Sequence, residues 1–144
     1  VDSVADQRLH GIWRSAFLGR TQDLYPEQPT VPVHRNAGED LPGFKRWLAE
    51  FSPDVLITHA LPVEEWLKHL KLRIPTDIGL ITLGVPPRQQ ENAGINLRTA
   101  QVGREALNLI VNQIHLNERG VPPNRVTVLI EPQWVMGETV KSAS

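Results

Sequence analysis

Read for its apolar positions, the chain alternates between stretches with a helical repeat and short continuous apolar runs. Leu9, Ile12, Trp13, Ala16 and Phe17 recur at helical spacing and predict a helix from about Ala5 to Leu18, with Asp2 or Ser3 available as cap and Gly19 suited to its end. Prolines and polar residues between Thr21 and Pro32 predict a loop, followed by a short strand around Val31 and Val33. Gly38-Glu39-Asp40 reads as a turn. The helical stripe returns in Phe44, Trp47, Leu48 and Phe51, stops at Ser52-Pro53, and gives way to Asp54-Val55-Leu56-Ile57-Thr58, a short buried-type strand. Pro62 suits the first position of a further helix carrying Val63, Trp66, Leu67 and Leu70. After the turn Ile74-Pro75-Thr76-Asp77, the run Ile78 to Leu83 has the continuous apolar character of a strand covered on both faces.

The polar loop Gly84 to Asn92 leads to an extended Ala93-Gly94-Ile95-Asn96. From Thr99 to about Asn117 runs the longest predicted helix, with Gly103, Leu107, Ile110 and Ile114 on one line and Val102, Ala106 and Leu109 beside it. Gly120 ends it, Pro122-Pro123 forbid continuation, and Val126 to Ile130 predict a last strand before an irregular tail. There is no internal repeat and no hairpin signal such as Asn-Gly. Helices alternating with short apolar strands predict an α/β fold, a parallel Rossmann-like sheet flanked by helices and joined by right-handed crossovers.

Composition narrows the chemistry. The 144 residues suit one domain or part of a larger one, and 15 basic against 16 acidic residues leave a net charge of −1, which argues against a basic nucleic-acid surface. Without cysteine there is no disulfide, zinc ribbon, Fe–S centre or thiol nucleophile. No apolar run approaches membrane-spanning length. A Gly-x-Gly-x-x-Gly turn, a phosphate-loop lysine and a Gly-x-Ser-x-Gly elbow are all missing, and the five histidines form no i, i+4 pair for zinc. Glu64 and Glu65 point about 100° apart on a helix and suit its first turn as solvated charges. Trp13, Trp47 and Trp66 fall on helix stripes, where core packing is the default, while Trp134 has no assignment. No enzyme activity, cofactor or metal is therefore expected. In open parallel sheets ligands bind outside the carboxyl ends of the strands, here Thr58-His59 and Leu83-Gly84, although a histidine there caps a helix or meets solvent just as readily.

The order of the pieces resembles the lactose-repressor (LacI/GalR) family of transcription regulators. Ala5-Asp6-Gln7-Arg8-Leu9-His10-Gly11 resembles the Arg-x-x-Gly helix opening that family's C-terminal subdomain, and Pro53 to Thr58 is similar to the strand leading to its effector-binding turn. Ile74-Pro75-Thr76-Asp77-Ile78-Gly79-Leu80-Ile81 matches its Val-Pro-x-Asp strand. The segment Ala93 to Ile114, with Gly103 and Ala106 in register, is similar to its long helix, and Val128 to Thr139 to its closing strand and tail.

The resemblance implies part of a type I periplasmic-binding-protein-like effector domain, residues 1–144. This is mainly the C-terminal subdomain, with helix 99–117 belonging to the other subdomain and the DNA-binding domain absent. It implies a cytoplasmic, non-enzymatic sensor of a small-molecule effector, sugars among the candidates. Such a sensor pairs as a homodimer, reaches operator DNA only through the separate N-terminal domain and has no membrane partner. A periplasmic solute-binding or receptor module of the same fold is the alternative. The implied ligand-binding residues are Asp6, Thr58, His59 and Gly84. The sequence departs from the family pattern there: Asp6 stands where a sugar-contacting Arg is common, His59-Ala60 replaces an Asn-Asp turn, Gly84 replaces an acidic residue, and Gly137 takes the place of a tail Arg.

Overall fold

A computed structural model of the protein describes residues 10–34, 40–59, 62–84, 91–121 and 126–141. They form helices α1 (Ile12–Leu24), α2 (Leu41–Phe51), α3 (Pro62–His69) and α4 (Thr99–His115), and strands β1 (Val55–Thr58), β2 (Gly79–Leu83), β3 (Gly94–Asn96) and β4 (Gln133–Val135). Among these residues no helix is long and apolar enough to cross a membrane.

Local chemistry explains the two packed helices. Asp40 caps α2 by accepting the Gly43 N–H at 2.8 Å, a proline lies in the first turn where no amide is missed, and Ser52, at φ 42°, ends the helix in the left-handed region. A Cβ on Gly43 would run into the Asp40 carboxylate as it stands, so a side chain there would push the capping group aside. In α3, Glu64 and Glu65 occupy the first turn and Lys68 and His69 the last, each end opposing the helix dipole. Glu64 also pairs with Lys68 at 2.9 Å, the solvated role expected of it.

The chain segment β1–α3–β2 makes a parallel pair with Val55 opposite Gly79 and Thr58 opposite Thr82. β3 joins β2 in parallel, with Thr82 opposite Gly94, in a sheet ordered β1-β2-β3-β4. This is the expected α/β sheet flanked by helices, with one difference: β4 runs antiparallel to β3, Trp134 facing Ile95. Side chains alternate across a strand. Leu56 and Thr58 of β1 are accordingly buried beneath α2 and α3, and Val55 and Ile57 take the opposite face. Phe44, Leu56, Val63, Trp66, Leu67, Ile78 and Leu80 form the core, with Trp47, Leu48 and Leu70 packed against it. Phe44 is its aromatic hub: Trp66 lies 5.1 Å away and His34 meets it edge-on at 5.5 Å.

Three expectations are corrected. The first helix continues to Leu24 instead of ending near Leu18. Gly19 has open space around it and no left-handed turn to make, and one glycine costs a helix only about 1 kcal/mol. No residue of α1 is buried, and Ile12 is 59% exposed, so its stripe is not a core face; the expected residues before His10 lie outside the described residues. Second, Val31 and Val33 form no strand, being separated by Pro32, which has no amide to donate. Third, Val126 to Ile130 form no strand, and Val126 to Leu129 are exposed, Leu129 at 87%. The position beside β3 is taken by Gln133–Val135 instead, because the tail is anchored there. Thr139 donates its hydroxyl to Leu80 O at 2.7 Å and accepts the Ala93 N–H at 2.8 Å, while Leu80 N–H donates to Thr139 O at 2.8 Å. The long helix expected from Thr99 to about Asn117 forms as α4, ending at His115, and none of its residues is buried.

Candidate functional site

Parallel neighbours in register end on the same rim, so the residues that follow β1 and β2 are brought together. His59 follows β1 and Gly84 follows β2. His59 Nε2 lies 3.6 Å from where a Cβ on Gly84 would stand, with Leu97 Cδ1 at 3.5 Å. Gly84 has φ 92°, a left-handed conformation that glycine adopts freely, so a side chain there would be strained as well as pressed against the imidazole. Thr58, His59 and Gly84 thus share the carboxyl rim named from sequence. Thr58 is only 2% exposed and turns toward the core, beneath the opening. Asp6 lies outside the described residues.

Behind His59 the rim opens into a cleft of about 530 Å³ between α1 and the second face of the sheet. Its floor is Val55, Ile57, Ile81, Leu83 and Ile95, the strand positions that alternate away from the core. Trp13, Arg14 and Phe17 of α1 form one wall, Trp134 of β4 another, and Val31, Val33, Trp47 and Pro53 close the far side. The Trp13 and His59 rings are 4.6 Å apart at 43°. Trp13 therefore lines an opening and is not the core residue that its helix stripe suggested. Trp134, unassigned from sequence, is 46% exposed on the cleft wall. The signal that was available is its place across from Ile95, which only the antiparallel pairing reveals.

Electrostatically the site is sparse. Among the described residues of the lining, Arg14 and His59 are the titratable side chains, and none carries a carboxylate, carboxamide or hydroxyl. Nearby, burial pushes the His34 imidazole below its usual value, with Asp40 pulling partly the other way. His34 Nδ1 and Trp47 Nε1 are buried with no hydrogen-bond partner among the described residues. These residues also hold no cluster of three metal-ligating side chains. Gly137, where the resemblance sets an Arg, lies so close to the Glu91–Ala93 backbone that any Cβ would collide with it. A tail arginine has no room at that position.

The fold is similar to that of a chain named transcriptional regulator LacI from Bacillus cereus subsp. cytotoxis NVH 391-98. The TM-score is 0.56 at 14% identity, over 98% of this chain and 51% of that one, so the protein spans roughly half of that neighbour's length. No curated protein matches the sequence. The family of periplasmic binding protein-like domains matches residues 2–140. That extent takes in α1 to β4 together with the rim and its cleft, and the chain belongs to the periplasmic binding protein-like domain family.

Proposed function

We propose that the chain is the effector-sensing part of a bacterial LacI-type transcription regulator. It binds a small molecule at the rim of His59 and Gly84 and converts occupancy into a shift between conformations. The observation that carries this is the 530 Å³ cleft opening at the carboxyl rim of a parallel sheet, in a chain of the periplasmic binding protein-like family. Thr58 supports the rim from below. Asp6, preceding α1 in sequence, completes the proposed set. Binding rather than turnover is supported by the described lining residues, which offer ring and guanidinium nitrogens but no hydroxyl or carboxylate nucleophile.

Residues 1–144 are, on this proposal, mainly one subdomain, with helix 99–117 reaching over to another. The exposure of α4 supports it: Leu107, Ile110 and Ile114 are 59%, 53% and 69% exposed, and burying one such side chain is worth about 1.5–3 kcal/mol. Operator DNA is read by a separate domain in the cytoplasm, two copies of the regulator pair, and the net charge of −1 fits leaving DNA to that other domain.

The test is an amide NMR titration of the protein with sugars, nucleobases and aromatic compounds, followed by operator binding of the intact regulator. A ligand that shifts His59 and Gly84 and changes operator affinity is the expected result. Shifts confined to other surfaces overturn the site. A rim ligand that leaves operator affinity unchanged points instead to a solute-binding module of the same fold.

A further inference from the structure

Strand register decides what the floor of the cleft presents. Ile57 stands opposite Ile81, Leu83 opposite Ile95, and Ile95 in turn opposite Trp134. Residues paired across neighbouring strands send their side chains to the same face, so these side chains stand together on the side away from the core. The N–H and C=O groups between them lie in the plane of the sheet, directed along its ladder. The floor is therefore a continuous hydrocarbon surface, with the half-exposed Trp134 ring rising at one edge.

Across that floor, Trp13 and Phe17 are one turn apart on α1 and both line the cleft. The Trp13 ring leans on His59 at the mouth, 4.6 Å away. A hydroxyl laid on the floor gives up its hydrogen bonds to water and gains none from the aliphatic side chains beneath it, which counts against a sugar lying there. A saturated ring suits the floor but gains nothing particular from aromatic walls. A flat aromatic ring suits both, setting its face on the floor and making offset or edge-on contacts with the rings at the sides. The volume of about 530 Å³ is that of a small-molecule site. We infer that the ligand of this cleft is a planar aromatic compound with a bare hydrocarbon face, laid on the floor between the α1 rings and Trp134, an inference that rests on the cleft being the effector site.

The test is a calorimetric titration of the protein with 1-naphthol, its saturated counterpart decahydro-1-naphthol, D-glucose and D-ribose. Exclusion of water alone favours the saturated compound, so selection by the aromatic walls is read as the reverse order. Saturable binding of 1-naphthol at least about tenfold tighter than that of decahydro-1-naphthol or either sugar is expected. Ile81→Thr keeps a β-branched strand residue while setting a hydroxyl in the floor, and Trp134→Ala removes a half-exposed wall; each weakens 1-naphthol by about five- to tenfold. Ile110→Ala, on the exposed α4, leaves the affinity unchanged. Melting curves verify that each variant folds, and Phe17→Ala, on a helix with no buried residue, carries the test if the two sheet variants do not fold. The inference is overturned by a saturated ring or a sugar that binds as tightly as 1-naphthol, by no binding of 1-naphthol, or by an affinity indifferent to the cleft variants. The sensing function is decided separately by the operator response: a naphthol held in the cleft that leaves operator affinity unchanged upholds this inference and counts against sensing.

Discussion

Replacing Phe44 with alanine removes the ring around which the core is arranged. Phe44 is fully buried, and its ring lies 5.1 Å from Trp66, 5.5 Å from His34 and 6.2 Å from a near-parallel Trp47. A buried Phe→Ala change costs about 3–5 kcal/mol through lost transfer energy and the cavity left behind. Aromatic pairs add about 0.5–1.5 kcal/mol each beyond area, which puts this site at the upper end, about 4–5 kcal/mol. Small domains have about 5–15 kcal/mol in total, so the loss is a large share of stability. With a urea m-value of about 2 kcal/mol per molar, the unfolding midpoint falls by about 2 M. Phe44→Leu, which keeps most of the volume, costs about 1.5 kcal/mol. Ile110→Ala is the control: it lies on α4 at 53% exposure and shifts stability by no more than about 0.5 kcal/mol. Urea unfolding followed by far-ultraviolet circular dichroism reads all three. A midpoint shift below about 0.5 M for Phe44→Ala, or an equal loss for Ile110→Ala, would refute a core centred on α2, β1 and α3.

Three further outcomes follow from particular contacts. Arg73 donates to Asp77 from its backbone N–H at 2.8 Å and its guanidinium at 2.9 Å, holding the carboxyl at about 2 against an ordinary 3.8. Because the folded value is the lower one, the stabilisation is complete above pH 3.8 and is lost as pH falls through about 2; Asp77→Asn flattens the acid limb of a Tm-against-pH series there, and an unchanged limb contradicts it. Burial lowers the His34 pKa, so as pH falls below the ordinary 6.5 the unfolded chain takes up a proton that the folded chain resists, and stability declines; His34→Phe removes that slope, read from urea midpoints at pH 7 and pH 5. Gly137→Ala drives a methyl into the Glu91–Ala93 backbone, destabilises by about 1–3 kcal/mol, and speeds amide exchange in β3 and β4; protection unchanged from the parent would disprove the close approach.

Much of the fold was legible in local sequence because its signals are local. Ser52-Pro53 ended α2, Pro62 opened α3, and the stripe Phe44, Trp47 and Leu48 named the face that meets the core. The apolar runs ending at Thr58 and Leu83 became the parallel pair β1 and β2, and from them followed the rim where His59 and Gly84 meet. A strand's worth, by contrast, depends on a partner that periodicity does not contain. Val126 to Ile130 has every residue preference of a strand and forms none, while Gln133–Val135 pairs with β3 because Thr139, far along the chain, ties the tail to Leu80 and Ala93. The same limit governs the tryptophans: Trp13 and Trp66 carry equivalent helical spacing, yet one lines a cleft and the other is buried, since α3 packs into the core while no residue of α1 is buried. Helix and strand type come from residues a turn apart. Which surfaces are covered, and hence where the cleft lies, comes from contacts between segments tens of residues apart, which tertiary packing alone selects.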